Sequence, residues 1–125
     1  MNGSYKDLRV WNEAMDLAET VYALSKTFPR NEDYGLADQL RRAAVSVPSN
    51  IAEGKGHHSG PEFCRFLFHA RGSLLEMETQ IELARRVKYI SDQSASDLLE
   101  RTATVARRLN ALINAIAGEK NRTNS

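Results

Sequence analysis

Four stretches of the chain repeat apolar residues at three- and four-residue spacing, and each reads as an amphipathic helix. The first runs from about Leu8 to Thr27, with Trp11, Ala14, Met15, Ala18, Val21, Tyr22 and Phe28 on one stripe. Asp7 offers an N-cap, and Phe28-Pro29 marks the exit, because proline disfavours helical geometry in the residue before it. The second runs from about Asp33 to Gly54 through Leu36, Leu40, Ala43, Ala44, Val47 and Ile51. The third begins at Ser59-Gly60-Pro61-Glu62, a capping box with proline in the first turn, and continues through Phe63, Phe66, Leu67, Ala70, Leu74, Met77, Ile81 and Ala84 to near Lys88. The fourth starts after Ser91 or Ser94 and follows Leu98, Thr102, Val105, Leu109, Leu112, Ile113 and Ile116 to a C-terminal cap at Gly118.

No alternating strand pattern competes with these helices. Four helices of about 20 residues, each spanning roughly 30 Å, predict an all-α protein: an antiparallel up-down-up-down four-helix bundle over residues 1–118. Residues 119–125 read as a polar, flexible tail. Pro48 interrupts the second helix, where a missing backbone donor and a clash with the preceding turn cost about 3 kcal/mol. The apolar stripe nevertheless resumes in phase at Ile51, which predicts one helix kinked at Pro48 rather than two. Ser46, Ser49 and Asn50 surround the proline and can satisfy the backbone groups that it frees.

A bundle needs only one apolar stripe per helix, yet three helices carry more. With about 100° per residue, Val10, Leu17 and Leu24 form a row beside the Trp11 stripe. Val45 and Ala52 point away from the Leu40–Val47 face, and Cys64, Phe68 and Leu75 lie about 120° from the Phe63–Leu74 stripe. These rows predict contacts between subunits, with Val10, Leu17, Leu24, Val45, Ala52, Phe68 and Leu75 as the interface candidates.

The 125 residues suffice for one domain with a sizeable core, and 42% hydrophobic with 26% charged residues is ordinary for a globular protein. No apolar run is long enough to cross a membrane. The N-terminus lacks a signal peptide's apolar segment, and the single cysteine excludes an intrachain disulfide, so the expected location is the cytoplasm. The sequon Asn121-Arg122-Thr123 therefore carries no weight.

Net charge is +1 and the balance barely shifts along the chain, so no basic tail or block marks a nucleic-acid binder. The best phosphate-contact candidates are Arg41, Arg42, Arg85, Arg86 and Lys88, with Lys55, Arg65 and Arg71 behind them; Arg42 also stands four residues after Asp38, in ion-pair range. His57, His58, Cys64 and His69 fail as a metal set, since Cys64 and His69 point about 140° apart on a helix. Glu76, Glu78 and Glu82 lack the Glu-x-x-His pattern of bundle metal sites. Gly54-Lys55-Gly56 is too short for a phosphate loop, and Cys64 sits among apolar neighbours rather than beside a base. No catalytic set, metal or cofactor is expected.

Tyr34-Gly35-Leu36 and the run from Gln39 to Gly54, QLRRAAVSVPSNIAEG, resemble the signature of the four helix bundle proteins encoded in 23S ribosomal RNA intervening sequences. Supporting matches are Leu8-Arg9-Val10-Trp11 with Ala14, Val21-Tyr22, Phe28-Pro29, Glu62-Phe63 with Phe66-Leu67, and Gly72-Ser73-Leu74 with Glu76; the likeness spans about residues 8–90. The resemblance implies a ring-shaped homo-oligomer, a pentamer, without enzymatic activity. It extends to the accessory protein of diversity-generating retroelements, which works with a reverse transcriptase and nucleic acid and is markedly more basic than this chain. Two functions follow as expectations: an accessory protein associated with RNA or DNA through a ring of repeated arginines, and a scaffold that binds a protein partner without nucleic acid.

Overall fold

The computed structural model describes residues 3–124, with side chains through residue 118. Four long helices, α1 (Arg9–Ser25), α2 (Leu36–Lys55), α3 (Gly60–Arg86) and α4 (Asp92–Asn124), account for the fold, with single 3-10 turns at Tyr5–Asp7 and Arg30–Glu32. The described residues contain no strand, and the protein is an all-α four-helix bundle.

Local chemistry sets the ends of these helices. The Ser59 hydroxyl accepts the Glu62 amide at 3.2 Å, while the Glu62 carboxylate turns to Arg65 instead of closing the expected box. Ser91 caps α4, its hydroxyl accepting the Ser94 amide at 3.0 Å. Asp7 is diverted: its carboxylate accepts the Ser4 amide at 3.1 Å in a separate turn, and α1 begins at Arg9. Glu32 serves α2 from outside it, one carboxylate oxygen accepting the Leu36 amide at 3.1 Å and the other the Tyr89 hydroxyl at 2.7 Å. α4 does not stop at Gly118 but continues to Asn124, so residues 119–124 extend the helix. A Cβ at Gly118 would meet nothing within 4 Å, and with no turn forced there the helix simply runs on.

α2 is continuous through Pro48, which is itself buried. Its polar neighbours tie the turn down: the Asn50 amide donates to the Ser46 carbonyl at 2.8 Å and to the Ser46 hydroxyl at 3.0 Å. The Ser73 hydroxyl then bonds to the Ser46 hydroxyl at 2.8 Å, linking α2 to α3.

Cross-bundle contacts order the helices in space. Ser25 meets Arg41 between α1 and α2, and Ser46 meets Ser73 between α2 and α3. Further down that second seam, the Gly54 Cβ position faces Phe63 and Phe66. Arg85 pairs with Asp92 and Arg71 with Asn110 between α3 and α4, so one helix is read forwards while its neighbour is read backwards. Arg101 to Thr20 and Arg108 to Glu13 close α4 onto α1 in the same opposed order.

Leu17, Leu40, Ile51, Leu67, Leu74, Met77, Ile81 and Leu109 fill the centre with almost no exposed surface. Each such side chain contributes about 1.5–3 kcal/mol by leaving water. The core-facing row of α1 is Val10, Ala14, Leu17, Ala18 and Val21. This corrects two of the interface assignments. Val10 is 5% exposed and Leu17 1% exposed within a single chain, which leaves them no surface to offer another subunit, and Leu24 packs half-buried against the same core. Two apolar rows about 100° apart compete for the interior of α1, and the slimmer aliphatic row fits against α2 and α4.

Candidate interaction surface

The displaced row, Trp11, Met15 and Tyr22, stands on the outer face of α1 beside Val45, Pro48 and Ala52 of α2. Together they wall an open apolar groove of about 560 Å³. Tyr5 closes one end with its ring edge-to-face against Trp11 at 5.1 Å. Tyr22 and Val45 remain 44% and 41% exposed. Glu19 and Lys26 line α1's rim of the groove. Aromatic and methionine side chains at such spacing resemble the centre of a protein interface more than an ordinary surface.

A second exposed apolar strip lies on α3, where Phe68 and Leu75 are 47% and 60% exposed. The Arg71 guanidinium covers one flank of Phe68 at 4.7 Å from the ring centre while donating to Asn110 on α4. Of the remaining interface candidates, Val45, Phe68 and Leu75 are thus at the surface and Ala52 is half-buried at the groove wall. The sequence pattern places Trp11, Met15 and Tyr22 on the core stripe of α1, and the structure turns them to the groove instead. The signal for this was the tyrosine hydroxyl and the bulk of three large residues where Ala14 and Ala18 would pack more closely.

The basic candidates are not brought together. Arg41 is half-buried and structural, donating to the Ser25 hydroxyl at 3.0 Å and the Asp33 carbonyl at 2.9 Å. Arg42 pairs with Asp38 at 2.8 Å, and Arg85 with Glu82 at 3.1 Å and Asp92 at 3.5 Å. Arg65 pairs with Glu62 at 3.1 Å and lies 4.5 Å over the Phe66 ring. These bonds hold the Glu62 and Glu82 carboxyls below the usual carboxylate range and push the Arg65 and Arg85 guanidiniums up. Arg86 and Lys88 are exposed near Arg85; Lys55 and Arg65 belong to the opposite end of the bundle. Thirteen residues of helix separate Arg42 from Lys55, roughly 20 Å.

At that opposite end, Lys55, His57 and His58 border a cleft of about 620 Å³ against Leu112 and Ile116. His57 is stacked on Phe66 at 4.9 Å. Among the described residues no three histidine, cysteine or acidic groups are arranged to hold a metal ion, and no helix is long and apolar enough to cross a membrane.

Residues 6–111 match the family model of the 23S rRNA-intervening sequence protein. The chain belongs to that family. No curated protein matches this member of the 23S rRNA-intervening sequence proteins. Among solved structures, the chain is similar to a protein of unknown function from the S23 ribosomal protein family of Bacteroides thetaiotaomicron. The two are 22% identical and superpose with a TM-score of 0.78 over 83% of this chain and 97% of the other, which fixes the bundle as their shared fold.

Proposed function

We propose that this intervening-sequence family member is a non-enzymatic scaffold that works as a ring-like homo-oligomer, a pentamer as its family resemblance implies, in the cytoplasm. The observation that carries this reading is the α1–α2 groove. It is a large, aromatic, open surface that no part of the described chain covers. Leaving Trp11, Met15, Tyr22 and Val45 against water is costly for an isolated domain, and a neighbouring subunit removes that cost. The lining of the groove, mostly aromatic and aliphatic with Glu19 and Lys26 at its rim, supports a binding role over catalysis. Light scattering coupled to size-exclusion chromatography tests the assembly: a pentamer mass is expected, and a monomer at micromolar concentration overturns the reading.

A second reading, association with RNA or DNA, draws on Arg86 and Lys88, which stand exposed beside the Arg85 cluster and would be repeated around a ring. The structural neighbour's membership of a ribosomal protein family points the same way. Phosphate-driven binding falls steeply with salt. Binding of a single-stranded RNA at low salt that Arg86→Glu abolishes supports this reading. Silence at low salt, with one protein partner such as a reverse transcriptase retained after nuclease treatment, favours the scaffold alone.

A further inference from the structure

The groove's occupant can be identified from heights along the bundle. The Ser25–Arg41 and Ser46–Ser73 bonds fix the levels of α1, α2 and α3 relative to one another. Counting along the antiparallel helices from those bonds puts Tyr22, Val45 and Leu75 at one level. Seven residues away, about 10.5 Å along the axis, Met15, Ala52 and Phe68 share a second level. The walls of the groove and the two knobs of the α3 strip therefore have the same spacing and the same heights. They do not share a side of the molecule: the groove opens on the outer edge between α1 and α2, and the strip faces outward from α3, diagonally across from α1.

We infer that the α1–α2 groove receives α3 of a second copy of this chain in one register, Phe68 entering between Met15 and Ala52 and Leu75 between Tyr22 and Val45. The inference rests on the self-assembly proposed above and specifies its contact.

Charges set the register. Glu19 and Lys26 stand seven residues apart on α1's outer rim, and Arg71 and Glu78 stand seven apart on the side of α3 that faces α4. Docking at equal height, helices parallel, brings Arg71 to Glu19 and Glu78 to Lys26. None of the four has an ion-pair partner among the described residues. A slip of one heptad sets Arg71 beside Lys26 in one direction and Glu78 beside Glu19 in the other, and such like-charge juxtapositions select against wrong registers.

Gly72 adds an independent sign. It lies between the two knobs in mid-helix, where glycine is less favourable than alanine. A Cβ there would meet nothing within 4 Å, so the chain's own packing does not ask for it. Close approach of the neighbouring α2 near Ser49 does. Equal heights also decide closure. The contact is head-to-tail, and because it needs rotation without a rise along the axis, repetition closes a ring rather than growing a filament.

Charge reversal and cross-linking test the register. Glu19→Arg and Arg71→Glu are each expected to weaken assembly about tenfold or more, and the double reversal to restore it to within about threefold of wild type. Circular dichroism checks that each variant keeps its helix content. In a Cys64→Ala background, Tyr22→Cys with Leu75→Cys should oxidise to covalent multimers, and neither single cysteine should. An assembled wild type whose double reversal is weaker than either single, or whose cysteine pair stays uncross-linked, overturns this register and leaves the ring standing. A monomeric wild type overturns both.

Discussion

α2 and α3 approach closely at Gly54, and replacing it with alanine measures what that approach is worth. An alanine Cβ would lie 2.8 Å from the Phe66 Cβ, 3.0 Å from the Phe63 Cδ1 and 3.2 Å from the Phe63 carbonyl oxygen. The Phe66 Cβ is fixed to its backbone and cannot rotate away, so the two helices must part. No glycine among the described residues has a positive φ, which removes backbone strain as a competing reason for glycine here. In an open helix the change would gain about 1 kcal/mol of helix propensity. Overpacking costs about 1–3 kcal/mol, and a contact pinned on both sides belongs in the upper half of that range. The net expectation is a loss of about 1–2 kcal/mol, or about 4–8 °C in melting midpoint for a chain of this size. Gly72→Ala is the control. With no atom within 4 Å of its Cβ, the same substitution should stabilise the dissociated chain by about 0.5–1 kcal/mol. Urea unfolding followed by circular dichroism, at a chain concentration low enough to keep subunits apart, reads both. If Gly54→Ala proves as stable as wild type, the close approach is not what holds glycine at that position.

Two further outcomes follow from named contacts. Leu17→Ala should destabilise the chain by about 2–5 kcal/mol, because Leu17 is buried in the core, whereas Met15→Ala on the exposed row should cost under about 1 kcal/mol in urea unfolding; the reverse ranking would return Leu17 to the surface. The Tyr89 hydroxyl, and after it the Leu36 amide, lower the Glu32 pKa, so the folded chain holds that proton less tightly than the unfolded one. Stability from this group is therefore full above the ordinary carboxylate range and is lost as pH falls through it toward the depressed value; Tyr89→Phe should flatten the acid limb of a stability–pH profile, and an unchanged limb would refute the assignment.

What could be read from the sequence depended on whether the deciding interaction was local. The start of α3 was legible because Ser59, Pro61 and Glu62 act within one turn. The continuity of α2 was legible because the apolar phase on either side of Pro48 agrees. The phase of α1 was not. Val10–Leu17–Leu24 and Trp11–Met15–Tyr22 are equally regular rows, and only the shape of the space between α2 and α4 selects the first for burial. The reach of α4 past Gly118 was missed for a similar reason, since glycine ends a helix only where a turn is required. Arginine roles were the least accessible. Arg42–Asp38 can be foreseen from i, i+4 spacing, but Arg41 to Ser25 and Arg71 to Asn110 exist only after the helices pack.

The seams between helices are unequal, and this bears on how the bundle folds. α2 and α3 share the broadest seam, joined through a short connection and zipped by Ser46, Ser73 and the close packing at Gly54. α1 and α4 share the narrowest, and the bond that joins Arg101 to Thr20 spans 81 residues of chain. Loop-closure entropy penalises that contact most while it is the least rewarded, so the central hairpin is the natural nucleus and the α1–α4 seam the last to shut. Until that seam closes, α1 has nothing but α2 to lean on, so the α1 wall of the groove gains its second support only at the end of folding. Under the proposed assembly, docking would then fall to chains that are already nearly folded, which separates folding from assembly in time.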